Sequence, residues 1–372
     1  NIRNALMQAA GTAASGDPVY VEDVFSTTLY TGNNTNGTDI VNGIDLDGEG
    51  GLVWLKRRDG SFAHFLFSTE SSQPYHYLSS DSTNAVNTTS SDTLVGFNNN
   101  GFTLDDDNSY VGGMNTSGHD YASWSFRKQP GFFDVKSVTK NSGSDLVVSF
   151  SDLGSIGFVV AKETGGSSDW YAWCKGMTST HHIKLNSSQT TSTDNYITVS
   201  GTNVTLKDGV YGSGDSIIYA WADGDDSSAQ IFGDDGDEAI IKCGSYQSTG
   251  NGDEVFVNLG FEPQWVMIKA ATHDAGNGWI IQDNMRGMAH VGNNNYLLAN
   301  TTGAENSGGT GAFARAEPNG MTVSSSALQN WFNSVETYIY VAIRRGPMKE
   351  PSAGTDVYNY QTRGGGGSGP PA

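Results

Sequence analysis

Seven histidines, two cysteines, eight tryptophans and several runs of carboxylates are the side chains of this 372-residue chain that could do chemistry. The histidines are His64, His76, His119, His181, His182, His273 and His290, and no common spacing relates them. His181-His182 is the most suggestive pair. Neighbours on a strand point to opposite faces, so the pair is a poor chelate, and surface histidines are expected. No HExxH, GxSxG, P-loop or dinucleotide fingerprint occurs. Asp45-Leu46-Asp47-Gly48-Glu49, Asp105-Asp106-Asp107 and Asp234-Asp235-Gly236-Asp237-Glu238 offer the oxygen ligands that calcium takes. None has the spacing of an EF-hand loop, so these acidic loops read as solvated turns or as calcium sites. No other cofactor and no catalytic set is expected.

Cys174 and Cys243 are expected to be two buried free thiols, since they fall at different phases of the pattern described next. Most tryptophans lie on strand-like segments and read as core, because aromatic rings dominate core energetics. Trp331, within Gln329-Asn330-Trp331-Phe332-Asn333, is off that pattern and polar-flanked. It is the candidate exposed contact.

What positions these residues is a pattern that runs three times. Leu52-Val53-Trp54-Leu55-Lys56 answers to Phe158-Val159-Val160-Ala161-Lys162 and to Trp265-Val266-Met267-Ile268-Lys269, with the lysines 106 and then 107 residues apart. Tyr30, Val138 and Tyr246 recur every 108 residues. Leu78-Ser79-Ser80, Leu185-Asn186-Ser187 and Leu298-Ala299-Asn300 keep step. A period of this length is too long for a solenoid unit and matches a whole domain. Short apolar runs bounded by Gly, Asp, Asn and Ser read as strands. The chain is therefore expected to be all-β, with three tandem β-sandwich, jelly-roll-like domains at 23–130, 131–238 and 239–346. The first two are expected to be closely coupled through the short seam 127–131. The third is expected to be looser, behind the acidic, solvated seam 223–238. A flexible Gly- and Pro-rich linker covers 347–372. In the arm at 1–22, Ile2, Ala5, Leu6, Ala9 and Ala10 could line one face of the one helix expected. Ile2, Leu6 and Ala9 are its candidate assembly contacts.

Composition narrows the function classes. Twenty Lys and Arg face forty Asp and Glu, a net charge of −20. Such a surface cannot neutralise phosphates, which argues against nucleic acid, and it disfavours anionic lipid. Charged residues are 16% of the chain, below the roughly 25% of ordinary domains, and Ser, Thr, Asn and 48 glycines supply the polarity instead. No run of 18 apolar residues is present, so no membrane insertion is expected, and no secretory signal is visible.

The series Tyr-Thr-Gly-Asn (30–33), Gly-Leu-Val-Trp-Leu-Lys-Arg-Arg (51–58), Tyr-Leu-Ser-Ser-Asp-Ser-Thr (77–83), Gly-Phe-Thr-Leu (101–104) and Tyr-Ala-Ser-Trp-Ser-Phe (121–126) resembles a β-rich module of tailed-bacteriophage virion structural proteins. Ile343-Arg344-Arg345-Gly346-Pro347-Met348 with Thr355-Asp356-Val357-Tyr358 resembles the linker that follows it there. The resemblance is best over 24–127, good over 240–358, and weaker in the second copy, which lacks the Trp and the Arg pair of the lysine strand. It implies a structural part of a tail fibre or host-adhesion device, located in the virion after assembly in the host cytoplasm. It brings no catalytic residues. The expected partners are other virion proteins through the N-terminal arm, further copies of the chain in a closed homo-oligomer, and a host surface glycan or receptor. A capsid decoration protein and a carbohydrate-binding or depolymerising protein are the alternatives.

Overall fold

The computed structural model describes residues 18–88, 92–106, 113–249, 254–272, 278–288, 294–307, 314–324 and 335–348. The proposed arm contacts Ile2, Leu6 and Ala9, the linker beyond 348, His273, His290 and Trp331 lie outside the described residues.

The chain is all-β, built as three like modules. The first holds β1 (Phe25–Thr31), β2 (Thr38–Val41), β3 (Gly51–Arg57), β4 (His64–Ser68), β5 (Tyr77–Leu78), β6 (Leu94–Asn98), β7 (Gly101–Leu104) and β8 (Asp120–Arg127). The second holds β9 (Phe133–Lys140), β10 (Leu146–Ser149), β11 (Ile156–Glu163), β12 (Tyr171–Cys174), β13 (Ile183–Lys184), β14 (Ile197–Ser200), β15 (Asn203–Leu206) and β16 (Gly214–Ala222). The third holds β17 (Ile241–Gln247), β18 (Glu254–Asn258), β19 (Pro263–Ala270), β20 (Ile280–Asp283), β21 (Asn295–Leu298), β22 (Asn306–Ser307), β23 (Ala314–Glu317), β24 (Gly320–Ser324) and β25 (Thr337–Arg344).

Each module pairs a large inner sheet with a three-stranded outer one. The inner orders are β1-β8-β3-β4-β5, β9-β16-β11-β12-β13 and β17-β25-β19-β20-β21-β22. The outer orders are β2-β7-β6, β10-β15-β14 and β18-β24-β23. All named strand pairs are antiparallel. The landmark strands β3, β11 and β19 sit within the inner sheets and close on the landmark lysines. Asn203–Leu206 (β15) is the counterpart of Gly101–Leu104 (β7), and β14 is the counterpart of β6.

The central strands of the inner sheets are buried on both faces, whereas the edge strands β1, β9 and β17 keep exposed residues. In the first module Leu52 and Trp54 enter a core common to all three modules, while Val53 and Leu55 enter a core private to the sandwich. In the third, Trp265 and Met267 enter the common core, while Val266 and Ile268 enter the private one. The second module's sandwich core is continuous with the common core. Rings meet there across module boundaries: Phe126 with Trp221 at 5.6 Å, Phe126 with Trp265 at 5.8 Å, and Phe158 with Trp279 at 5.9 Å. Burial on both faces requires an unbroken apolar run where a one-faced strand would alternate, and the landmark strands have that composition.

The expectation of a looser third unit is therefore corrected. Large buried apolar side chains, each worth about 1.5–3 kcal/mol on burial, join it to the other two. The acidic seam is not simply solvated either. It turns through a short 3-10 stretch (Ser227–Ala229) and buries Ala229 and Phe232. Asp223 within it pairs with Lys175 at 2.6 Å.

Among the described residues the one α-helix is a single turn, α1 (Val21–Val24), later in the chain than the expected helix. Val21 and Val24 are buried in the common core, and the Asp23 carboxylate accepts the Tyr20 amide at 2.8 Å. The segment leaving the third module packs on α1. The Met348 amide donates to both Glu22 carboxylate oxygens, at 3.1 and 3.0 Å, and the Gly233 amide donates to the Val19 carbonyl. The lead into the first module and the exit from the third thus lie side by side. One glycine is dictated by contact as well as conformation: Gly101 has φ 148°, and a Cβ there would fall 2.0 Å from the Ile40 carbonyl oxygen.

Candidate functional site

The side chains singled out by type converge on the seams between modules, and the seams follow one rule. Each landmark lysine stands opposite one residue on the neighbouring strand: Lys56 opposite His64 in direct register, with Trp170 and Trp279 holding the same place relative to Lys162 and Lys269. That residue reaches into the loop of the preceding module. Trp170 Nε1 donates to the Ser79 and Ser82 carbonyls, both at 3.0 Å. Trp279 Nε1 donates to the Lys184 carbonyl at 2.9 Å. His64 Nε2 lies 3.0 Å from the Leu298 carbonyl oxygen.

A backbone bond repeats beside it. The amides of Val86, Thr191 and Glu305 donate to the carbonyls of Thr164, Ala271 and Arg58, at 2.9, 2.9 and 2.7 Å. Each acceptor lies two residues past a landmark lysine. Module one thus docks on two, two on three, and three on one. The modules form a closed ring with pseudo-threefold arrangement, and the recurring Leu-Ser-Ser, Leu-Asn-Ser and Leu-Ala-Asn segments belong to its docking loops.

The lysines are fully buried. Each Nζ donates to the carbonyl of the next residue: Arg57 at 2.6 Å, Glu163 at 2.6 Å and Ala270 at 2.9 Å. Lys56 also reaches the Thr302 carbonyl of module three, and Lys269 the Ser188 carbonyl of module two. Lys56 and Lys162 have no carboxylate within ion-pair distance among the described residues. Burial lowers both to about 8, against partial support for the charged form from nearby acids. These are ammonium groups spent on carbonyl oxygens, not nucleophiles open to a substrate.

The third-to-first seam carries an added charged network. Asp283 and Arg286 pair at 2.7 Å with both side chains shielded from solvent. Trp124 Nε1 donates to Asp283 at 3.0 Å. Glu305 takes two guanidinium bonds from Arg58, both 2.9 Å, and a longer contact from Arg286 at 3.3 Å. Burial alone would raise the Glu305 carboxyl, but the Arg58 bonds and the two guanidinium charges hold it below its ordinary value.

His64 and His182 correct the expectation of surface histidines, for both are buried. His182 stacks on Tyr196 at 4.5 Å, and its Nδ1 meets the Asp194 carbonyl at 2.8 Å. Among the described residues no group of three or more His, Cys, Asp or Glu is placed to hold an ion; Asp107 of the Asp105-Asp106-Asp107 loop lies outside them. Asp45 instead accepts the Gly48 amide, and Asp234 accepts the Tyr20 hydroxyl. Cys174 and Cys243 are free and buried. The seven described tryptophans are all buried, as their strand positions suggested. A polar cleft is lined by Phe261, Glu262, Asn319, Arg344 and Arg345, with both arginines already paired to Glu238 and Glu262. No helix among the described residues is long and apolar enough to cross a membrane.

Sequence reasoning missed the seam. The signal was present in the unbroken apolarity of the landmark strands and in a lysine ending each of them. No curated protein matches the chain. A single family model spans all three modules and both junctions, and by that match over residues 21–347 the chain belongs to the family described as a domain of unknown function, DUF7483.

Proposed function

We propose that the chain is a structural component of a tailed-phage virion, sited in a tail fibre or host-adhesion device. The observation that carries this reading is that the landmark lysines, Trp170, Trp279 and His64 are consumed in holding modules to one another. The sequence resemblance to virion modules points the same way. On this reading the chain is a scaffold, not an enzyme. It meets other virion proteins through the segment containing Ile2, Leu6 and Ala9, associates with further copies of itself, and engages a host receptor.

One observation favours the capsid alternative. A single chain with pseudo-threefold arrangement matches a threefold site on a shell, where three like contacts are offered at once. The carbohydrate reading draws less support, because stacking needs open aromatic faces and the described tryptophans are buried; it rests on Trp331 alone. Gold-labelled antibody against the purified chain, applied to intact particles, tests these readings. Label along the tail is expected. Label over the head favours the decoration role, and unlabelled particles overturn both. A glycan array with the Trp331→Ala variant as control tests the third.

A further inference from the structure

We propose that the third-to-first seam is an acid-labile latch, in which protonation of His64 opens the ring there while the other two seams stay closed. The three seams share a plan, but their chemistry differs at one equivalent place. Two seams use an indole: Trp170 and Trp279 donate across the boundary and cannot titrate. The third uses His64. Trp54 Nε1 donates to His64 Nδ1 at 2.9 Å. An indole N–H is a donor only, so Nδ1 must be bare, and the proton sits on Nε2, which donates to the Leu298 carbonyl. A second proton has one place to go, and there it faces the Trp54 N–H. Protonation therefore breaks the Trp54 bond and leaves a buried imidazolium.

The surroundings oppose that charge. Burial, then the positive charge of Lys56 on β3, then that of Arg286 from the turn after β20, push His64 well below the ordinary histidine value, against the Leu298 bond. The other charges of this seam are Arg58, Glu305 and Asp283, engaged with one another and with Arg286. Asp81 accepts the His64 backbone amide at 2.8 Å, where Asn186 and Asn300 serve Trp170 and Trp279. Burial raises the Asp81 carboxyl. Its own protonation thus favours the closed form and does not account for opening.

The sign follows. A histidine whose folded pKa is depressed binds fewer protons in the closed form, so the closed form loses stability as pH falls below about 6.5. This is also the seam no peptide link bridges, since modules one and two, and two and three, are joined in sequence.

The test is residue-resolved hydrogen exchange of the whole chain across that range, corrected for the intrinsic pH dependence. The amides to follow are Glu305, Val86 and Thr191, one from each seam. Protection at Glu305 should fall by up to about tenfold per pH unit, while Val86 and Thr191 hold. His64→Gln can accept from Trp54 and donate to Leu298 without titrating, and should keep Glu305 protected. Loss of all three protections at one pH in the unmodified chain overturns the proposal, even if the variant does not fold. So does a His64→Gln chain that opens like the parent.

Discussion

Glu305 and Arg58 join the two modules most distant in sequence, by a carboxylate–guanidinium pair with both bonds at 2.9 Å and by a 2.7 Å bond from the Glu305 amide to the Arg58 carbonyl. The main-chain bond belongs to the repeated plan; the side-chain pair does not. Glu305→Ala keeps the first and removes the second, leaving Arg58 and Arg286 short of a counter-charge. Removing one partner of a shielded pair costs about 3–5 kcal/mol, and partial exposure of Arg58 brings the expectation to the low end. Urea unfolding should show the loss, and Glu305→Gln, which keeps an acceptor, should show less.

Trp170→Phe removes a donor shared by the Ser79 and Ser82 carbonyls and preserves most of the buried ring. The expected cost is about 1–3 kcal/mol, the range for stranding buried acceptors. Trp279→Phe removes the equivalent donor from the next seam and should cost a similar amount. Equal effects in denaturant melts would support equivalent seams; a negligible effect at one would not.

The landmark lysines give an alkaline signature. Lys56 and Lys162 are lowered by burial to about 8, whereas an unfolded lysine keeps its proton to about 10.4. Between those values the unfolded chain binds more protons, so stability should rise with pH. The gain by about pH 9.5 is on the order of 1–3 kcal/mol per lysine. Melts at stepped pH should show the rise, and Lys162→Met should remove part of it.

Neither thiol should react in the folded chain. Cys174 and Cys243 are buried, and burial pushes the Cys174 thiol up to about 12, so almost no thiolate exists near neutral pH. A thiol-specific reagent should label neither in buffer and both in denaturant. A thiol that labels in buffer would place it in the open.

Gly157→Ala should disrupt the seam between modules two and three. A Cβ there would stand 2.7 Å from both the Ala222 carbonyl oxygen and Cys243 Cβ. Such overpacking costs about 1–3 kcal/mol or more, readable as a lowered melting temperature.

The all-β class and most inner strands were legible because Tyr, Ile, Val and Trp in short runs specify pleated, buried surface. Outer strands such as Thr38–Val41 and Leu146–Ser149 were missed. They are four residues long, with exposed residues on either side of the one that is buried, and a window that short carries little periodicity. The ring was missed for a different reason. The sequence places Lys56 at a strand end but does not say that Thr302, 246 residues on, supplies a carbonyl there. Histidines do not recur at a common spacing, which hides His64, yet the place it fills does recur, occupied by tryptophan in the other two modules. Equivalence of position was encoded by pairing across strands and not by residue identity.

The grip of Glu22 on the Met348 amide sets the lead into the first module against the exit from the third. Bridged there and severed near Lys128 instead, the same residues would be threaded two, three, one, with every docking loop still meeting its strand. A neighbouring lead-in and exit of this kind is what such circular permutation requires. What the amino acids specify between those two contacts is then a cyclic succession of modules.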